Sequence, residues 1–160
     1  MSRELLLLRH GIAEERGGGQ PDAQRALTLA GRARTRLVLD RLRRLDLGCD
    51  LLLTSPLVRA RETAALALEA GLAPELRDLD ALAPDGDARP ALEDLLTTPW
   101  RRLGMVGHEP DLSLLASRLL GHGNPLLELR KAGVAVLRHD DDGGGWILRL
   151  LLSPRILLAE

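Results

Sequence analysis

The stretch Leu5-Leu6-Leu7-Leu8-Arg9-His10-Gly11 decides how the rest of the chain is read. Four consecutive leucines are too few for a membrane span or for the apolar region of a secretory leader. They suit a short strand buried on both faces of a parallel sheet, predicted here over residues 4–8. The residues that leave this strand are an arginine, a histidine and a turn glycine. Open α/β sheets place their ligand chemistry at such strand exits. A histidine there can be a nucleophile or an acid–base group, and an arginine can hold a phosphate. Taken alone, Arg9-His10-Gly11 also reads as a polar strand end with a turn, because arginine and glycine are abundant in this chain. Other segments have to decide.

Further along, the pattern alternates. Residues 11–26 are polar and glycine-rich and read as a loop. Thr28 is placed to cap a helix running to about Leu45. Residues 49–53 form a second short strand. Ser55-Pro56 opens a second helix that Gly71 stops, with Pro56 in its first turn. A weak strand over 74–79, a turn-rich Pro84-Asp85-Gly86-Asp87 segment and a short helix over 90–97 follow. A third clear strand, 102–106, leads into Gly107-His108-Glu109-Pro110 and a helix over 111–120. Strands at 133–138 and 146–151, joined by an Asp- and Gly-rich turn, read as a terminal hairpin. The fold class is therefore α/β: a mainly parallel but mixed sheet covered by helices on both faces, a three-layer sandwich. Residues 1–160 read as a single domain.

Composition narrows the function classes. The 160 residues carry a net charge of −1, so no global field draws the chain to nucleic acid or to a membrane surface. There is no Phe or Tyr, and the two Trp are too few for a single-strand stacking platform. Lys131 is the only lysine among 22 cationic residues, a bias that reflects coding more than function. The single cysteine, Cys49, has no partner for an internal disulfide and reads as a small buried residue. A reducing cytoplasm fits, and a monomer is favoured.

Three strand ends carry the chemistry. The first delivers Arg9 and His10, the second leads to Arg59 one turn into its helix, and the third delivers His108. If the strands are parallel neighbours, all four side chains converge at one edge of the sheet beside a helix N-terminus, which also favours anions. Empty, such a cluster repels itself; bound phosphate relieves the repulsion. Arg25 reaches the pocket from its loop or only covers the surface. His122 reads as a loop residue. His139 with the following aspartates reads as a solvated turn rather than a metal site.

Arg9-His10-Gly11 resembles the signature of the histidine phosphatase superfamily, and Ser55-Pro56-x-x-Arg59-Ala60-x-x-Thr63 with Gly107-His108 resembles its later motifs. The closer resemblance is to SixA-type phosphohistidine phosphatases, through Asp22-x-x-Arg25-x-Leu27-Thr28-x-x-Gly31, Pro84-Asp85-Gly86-Asp87 and Gly107-His108-x-Pro110. The resemblance implies a phosphoglycerate mutase-like fold in its minimal form, with no inserted cap. It implies His10 as nucleophile, Arg9, Arg59 and His108 as catalytic groups that hold the phosphoryl group, and no metal or cofactor. The implied substrate is a histidine-phosphorylated protein, with small phosphomonoesters or phospho-ligand binding without turnover as alternatives. Many superfamily members carry a glutamate general acid where this chain has Ala81. Asp80, Asp85, Asp87 and Glu109 are the candidates to replace it. A site without a dedicated acid favours a phosphoramidate, whose imidazole leaves neutral once protonated, over an alkyl phosphate.

Overall fold

The computed structural model describes residues 2–160. Six strands form one sheet: β1 (Ser2–Arg9), β2 (Leu51–Thr54), β3 (Leu76–Asp78), β4 (Arg102–Gly107), β5 (Val134–Asp140) and β6 (Gly145–Leu152). Their spatial order is β3-β2-β4-β1-β5-β6. The first four run parallel; β5 is antiparallel to β1, and β6 to β5. The terminal hairpin thus makes the sheet mixed, as its turn predicts. The helices are α1 (Leu29–Arg44), α2 (Val58–Glu69), α3 (Arg89–Leu95), α4 (Asp111–Leu119) and α5 (Pro154–Leu157).

The leucine run shows why both faces are covered. Successive strand residues point to opposite faces. Leu6 and Leu8 pack with Val38, Leu39 and Leu42 of α1 and Ala60, Ala64 and Ala67 of α2. Leu5 and Leu7 pack on the other face with Leu92 of α3 and with Leu112 and Leu115 of α4. All four leucines are fully buried. Each such side chain contributes about 1.5–3 kcal/mol relative to an exposed one. A single four-residue run therefore anchors both layers of helices.

Two local departures from the sequence reading have physical causes. The second helix starts at Val58 rather than Pro56. The Ser55 hydroxyl accepts the Leu57 N–H at 3.2 Å, and this local turn delays the helix. The segment after His10 is also more ordered than a plain loop. It carries a bridge between Ala13 and Leu27 and a 3₁₀ turn at Asp22–Gln24. The weak third strand shrinks to three residues at the sheet edge. The sequence reading passed over α5, whose start is signalled by Ser153 as cap and Pro154 in the first turn, and the 3₁₀ turn at Asp80–Leu82.

The start of α1 fixes the chain beyond His10. Thr28 Oγ1 accepts the Gly31 N–H at 2.9 Å, and the Thr28 N–H donates to the Ile12 carbonyl at 3.0 Å. A Cβ on residue 31 would sit 2.1 Å from that carbonyl oxygen. Only glycine lets the helix start approach the loop this closely.

Candidate functional site

Sheet order places the site. β4 lies between β1 and β2, with Arg9 opposite Gly107 and Thr54 opposite Val106. The three strand ends therefore open on one edge, and His108 emerges between the other two. The rings of His10 and His108 are 5.2 Å apart, centre to centre, and tilted by 54°. A cleft of about 220 Å³ is lined by Arg9, His10, Arg25, Arg59 and His108, with Arg16, Lys131, Glu109, Ala13 and Pro84 completing its wall. Arg25 thus belongs to the pocket wall, which resolves the alternative left open by its loop position.

Hydrogen bonding sets the protonation of each imidazole. His10 Nδ1 lies 2.7 Å from the Gly11 carbonyl oxygen. A carbonyl only accepts, so Nδ1 carries the proton and Nε2 carries the lone pair. His108 Nε2 lies 2.7 Å from Ser55 Oγ. That hydroxyl already accepts from Leu57 N–H, and Ser55 is fully buried. Its own proton is paired only if it is donated to His108 Nε2. The His108 proton then sits on Nδ1, a buried atom without a partner. One ring offers a lone pair and the other an N–H donor.

Both rings are neutral. Burial, with His10 only 6% exposed, pushes the His10 pKa down to about 3, against the pull of the Gly11 carbonyl; a proton on His108 and the charges of Arg59 and Arg9 push the same way. Burial first, then the Arg59 charge, brings His108 down to about 4.

The guanidinium groups are held from behind. Arg9 donates to the Leu129 carbonyl at 2.9 Å, which leaves its buried Nε unpartnered. Arg59 donates to the Asp22 carbonyl at 2.8 Å and approaches the Asp22 carboxylate at 3.3 Å, with its own buried Nε unpartnered. Asp22 also accepts from Arg25 at 2.9 Å and faces Arg16 at 3.4 Å. One carboxylate thus offsets the mutual repulsion of three arginines. The sequence reading leaves the repulsion among Arg9, His10, Arg59 and His108 to a ligand; Asp22 offsets the Arg59 part of it without one.

The general-acid candidates disperse. Asp80 is exposed at the start of its 3₁₀ turn. Asp85 and Asp87 are exposed in a neighbouring cleft of about 420 Å³ that meets the pocket at His108. Hydrogen bonds from Arg89 hold Asp87 down at about 2, so it stays ionised. Glu109 lines the pocket, but its carboxylate accepts from the Ser113 N–H, the Ser113 hydroxyl and the Leu129 N–H. Asp111 is a residue the sequence reading passed over. It lines the neighbouring cleft with His108, and burial together with the charges of Asp85 and Glu109 raises its pKa. Its position in the first turn of the helix after His108 was the available signal. Arg16 and Lys131 were also missed: Arg16 lies in the loop after β1, and Lys131 precedes the start of β5, which its antiparallel pairing brings to the same edge as the end of β1. His122 lies exposed in a loop, and His139 pairs with Asp141 at 2.9 Å.

Residues 5–84 match the histidine phosphatase superfamily (branch 1). A relative from Picosynechococcus, described as an uncharacterized protein, is 40% identical over 97% of this chain and 99% of its own length.

The chain belongs to the histidine phosphatase superfamily.

Among solved structures of that fold, the protein histidine phosphatase SixA complexed with tungstate superposes with a TM-score of 0.84, at 23% identity, over 94% of this chain and 97% of its own. A mycobacterial glucosyl-3-phosphoglycerate phosphatase in complex with VO3 gives 0.78 at 20% identity, over 94% and 99%. The matched lengths are nearly equal, so the fold is the superfamily's phosphoglycerate mutase-like sandwich without an inserted cap. Membership makes the protein a phosphatase of this superfamily. Among the described residues, no helix is long and apolar enough to cross a membrane.

Proposed function

We propose that residues 1–160 form one domain that hydrolyses phosphohistidine on proteins through a phosphohistidine on His10. The reading rests on one observation above others. The phosphate pocket has a neutral nucleophile and a ring of cations, but its single carboxylate, Glu109, is already engaged by three donors. Such a site suits a leaving group that needs no acid from the enzyme.

The chemistry follows from the tautomers. His10 Nε2 directs its lone pair at phosphorus, and the Gly11 carbonyl steadies the positive charge that develops on the ring. Arg9, Arg59, His108 Nδ1–H and, from the loop, Arg25 receive the three phosphoryl oxygens and stabilise their charge in the transition state. The P–N bond of the substrate breaks. Its imidazole, protonated on the other nitrogen beforehand, leaves as a neutral ring. Water then attacks phosphorus from the vacated side, the His10–phosphorus bond breaks, and inorganic phosphate departs. All the positive charge this requires comes from side chains.

Two comparisons support anion binding at such a fold: tungstate and vanadate, both phosphate mimics, occupy relatives of it. A second reading, a phosphatase for small phosphomonoesters, is favoured by Asp111, whose raised pKa would let it protonate an alkoxide. Rapid quenching into alkali, where phosphohistidine survives, tests the mechanism. Wild type labels from a phosphorylated substrate and His10→Ala does not. A wild type that binds phosphate and never labels is a binding module. Comparable kcat/KM on an alkyl phosphate and on a phosphohistidine protein sinks the preference for P–N bonds.

A further inference from the structure

A second depression, of about 590 Å³, continues from the phosphate pocket past Arg9. The two share Arg9 and Lys131. Arg34 of α1, Arg130 and Arg155 of α5 supply the rest of its charge, and its lining contains no carboxylate. Arg34 and Arg130 are partly offset from outside by Glu160 at 2.5 Å and Glu128 at 3.6 Å. Arg155 feels Glu160 only at longer range, and among the described residues neither Arg155 nor Lys131 forms a salt bridge within 4.0 Å. The chain as a whole is at −1, so this concentration of positive charge is local and one-sided.

We propose that this basic groove docks an acidic segment of the phosphoprotein substrate, alongside the phosphohistidine that enters the pocket. The inference rests on the phosphohistidine-protein reading of the same site. The charge is spread over four separate stretches of chain, and its outer members, Arg130, Lys131 and Arg155, are exposed. Small-ligand sites instead use a few buried, fixed polar groups to set orientation. Exposed, mobile cations select by field and by summed weak pairs, the manner in which protein partners are steered and held. Ile12, 37% exposed, gives the groove an apolar wall for an aliphatic side chain next to the carboxylates.

The test uses short peptides with one central phosphohistidine, identical except for glutamate or lysine flanks. Their unphosphorylated forms serve for binding by fluorescence anisotropy. At low salt the glutamate peptide is expected to bind about tenfold tighter, and high salt should erase the difference. Arg130→Glu with Arg155→Glu should erase it too, while turnover of free phosphohistidine and Tm stay at wild-type values. Equal binding of the two peptides, or a difference that survives the double variant, overturns the groove. A single-stranded DNA of matching charge that binds as tightly as the glutamate peptide, with the same dependence on the two arginines, overturns its assignment to proteins. Failure of the enzyme on every phosphoramidate would remove the catalytic reading, yet the anisotropy would still decide the groove.

Discussion

His108 Nε2 lies 2.7 Å from the Oγ of Ser55, a residue on a different strand end, and this contact sets which nitrogen of His108 carries the proton. Ser55 touches no phosphoryl oxygen in the proposed mechanism; it acts through His108. Ser55→Ala should leave Nε2 without its donor and let the ring choose the other tautomer. The expected result is a fall in kcat of roughly tenfold to a hundredfold with little change in KM, short of the 10²–10³ for deleting an oxyanion donor outright. The ¹⁵N shifts of the His108 ring report the tautomer directly. An unchanged tautomer with lowered activity would contradict the positioning role.

Acid should destabilise the protein through its two buried imidazoles. Each has a folded pKa below the unfolded value of 6.5, about 3 for His10 and about 4 for His108. Between those limits the unfolded chain binds more protons than the folded one, so stability rises with pH. The contribution is fully present above pH 6.5 and is lost as pH falls toward 4 and then 3. Thermal melts across this window should show a smaller acid loss of Tm in His10→Ala than in wild type, whatever their offset at neutral pH.

Asp22 neutralises the arginines that would otherwise hold an oxyanion most strongly. Asp22→Asn removes one negative charge behind Arg59 and Arg25. Tungstate should then bind roughly tenfold tighter by calorimetry, the scale of one near-surface charge interaction. Turnover should slow through tighter product retention. Arg59→Ala should weaken tungstate binding instead. Equal tungstate affinity in wild type and Asp22→Asn would show that the carboxylate does not temper the pocket.

Gly31→Ala should damage the site from a distance. The new Cβ meets the Ile12 carbonyl, which is backbone and cannot rotate away. The helix start or the loop after His10 must shift, at a cost of roughly 1–3 kcal/mol. Circular-dichroism melts should show the loss of Tm, and kcat should fall although residue 31 lines no part of the pocket.

Asp111 separates the two substrate readings. Asp111→Asn should leave phosphohistidine turnover close to wild type and abolish most residual activity on alkyl phosphates, a loss of up to roughly 10²–10⁴ if it is the acid there. Equal losses on both substrates would make Asp111 structural, through its bond to the Asp85 N–H at 3.0 Å.

The layers and the inventory of the site are legible in residue order alone. Leu5 to Leu8 read as a strand buried on both sides, Thr28 marked a helix start, and three strand ends led to the histidines and the arginines. These are local properties of period, capping and turn chemistry, and they act over a few residues. Long-range packing set the order β2-β4-β1, which puts His108 between the other two strand ends. It also decided that Ser55 reads the tautomer of His108 and that Asp22 backs Arg59, and it gathered Arg34, Arg130, Lys131 and Arg155 into one groove. Apart from the adjacent Arg130 and Lys131, those relationships join residues from 24 to 121 positions apart, where no period or motif spacing reaches and where direction and burial, rather than residue type, set what a side chain does.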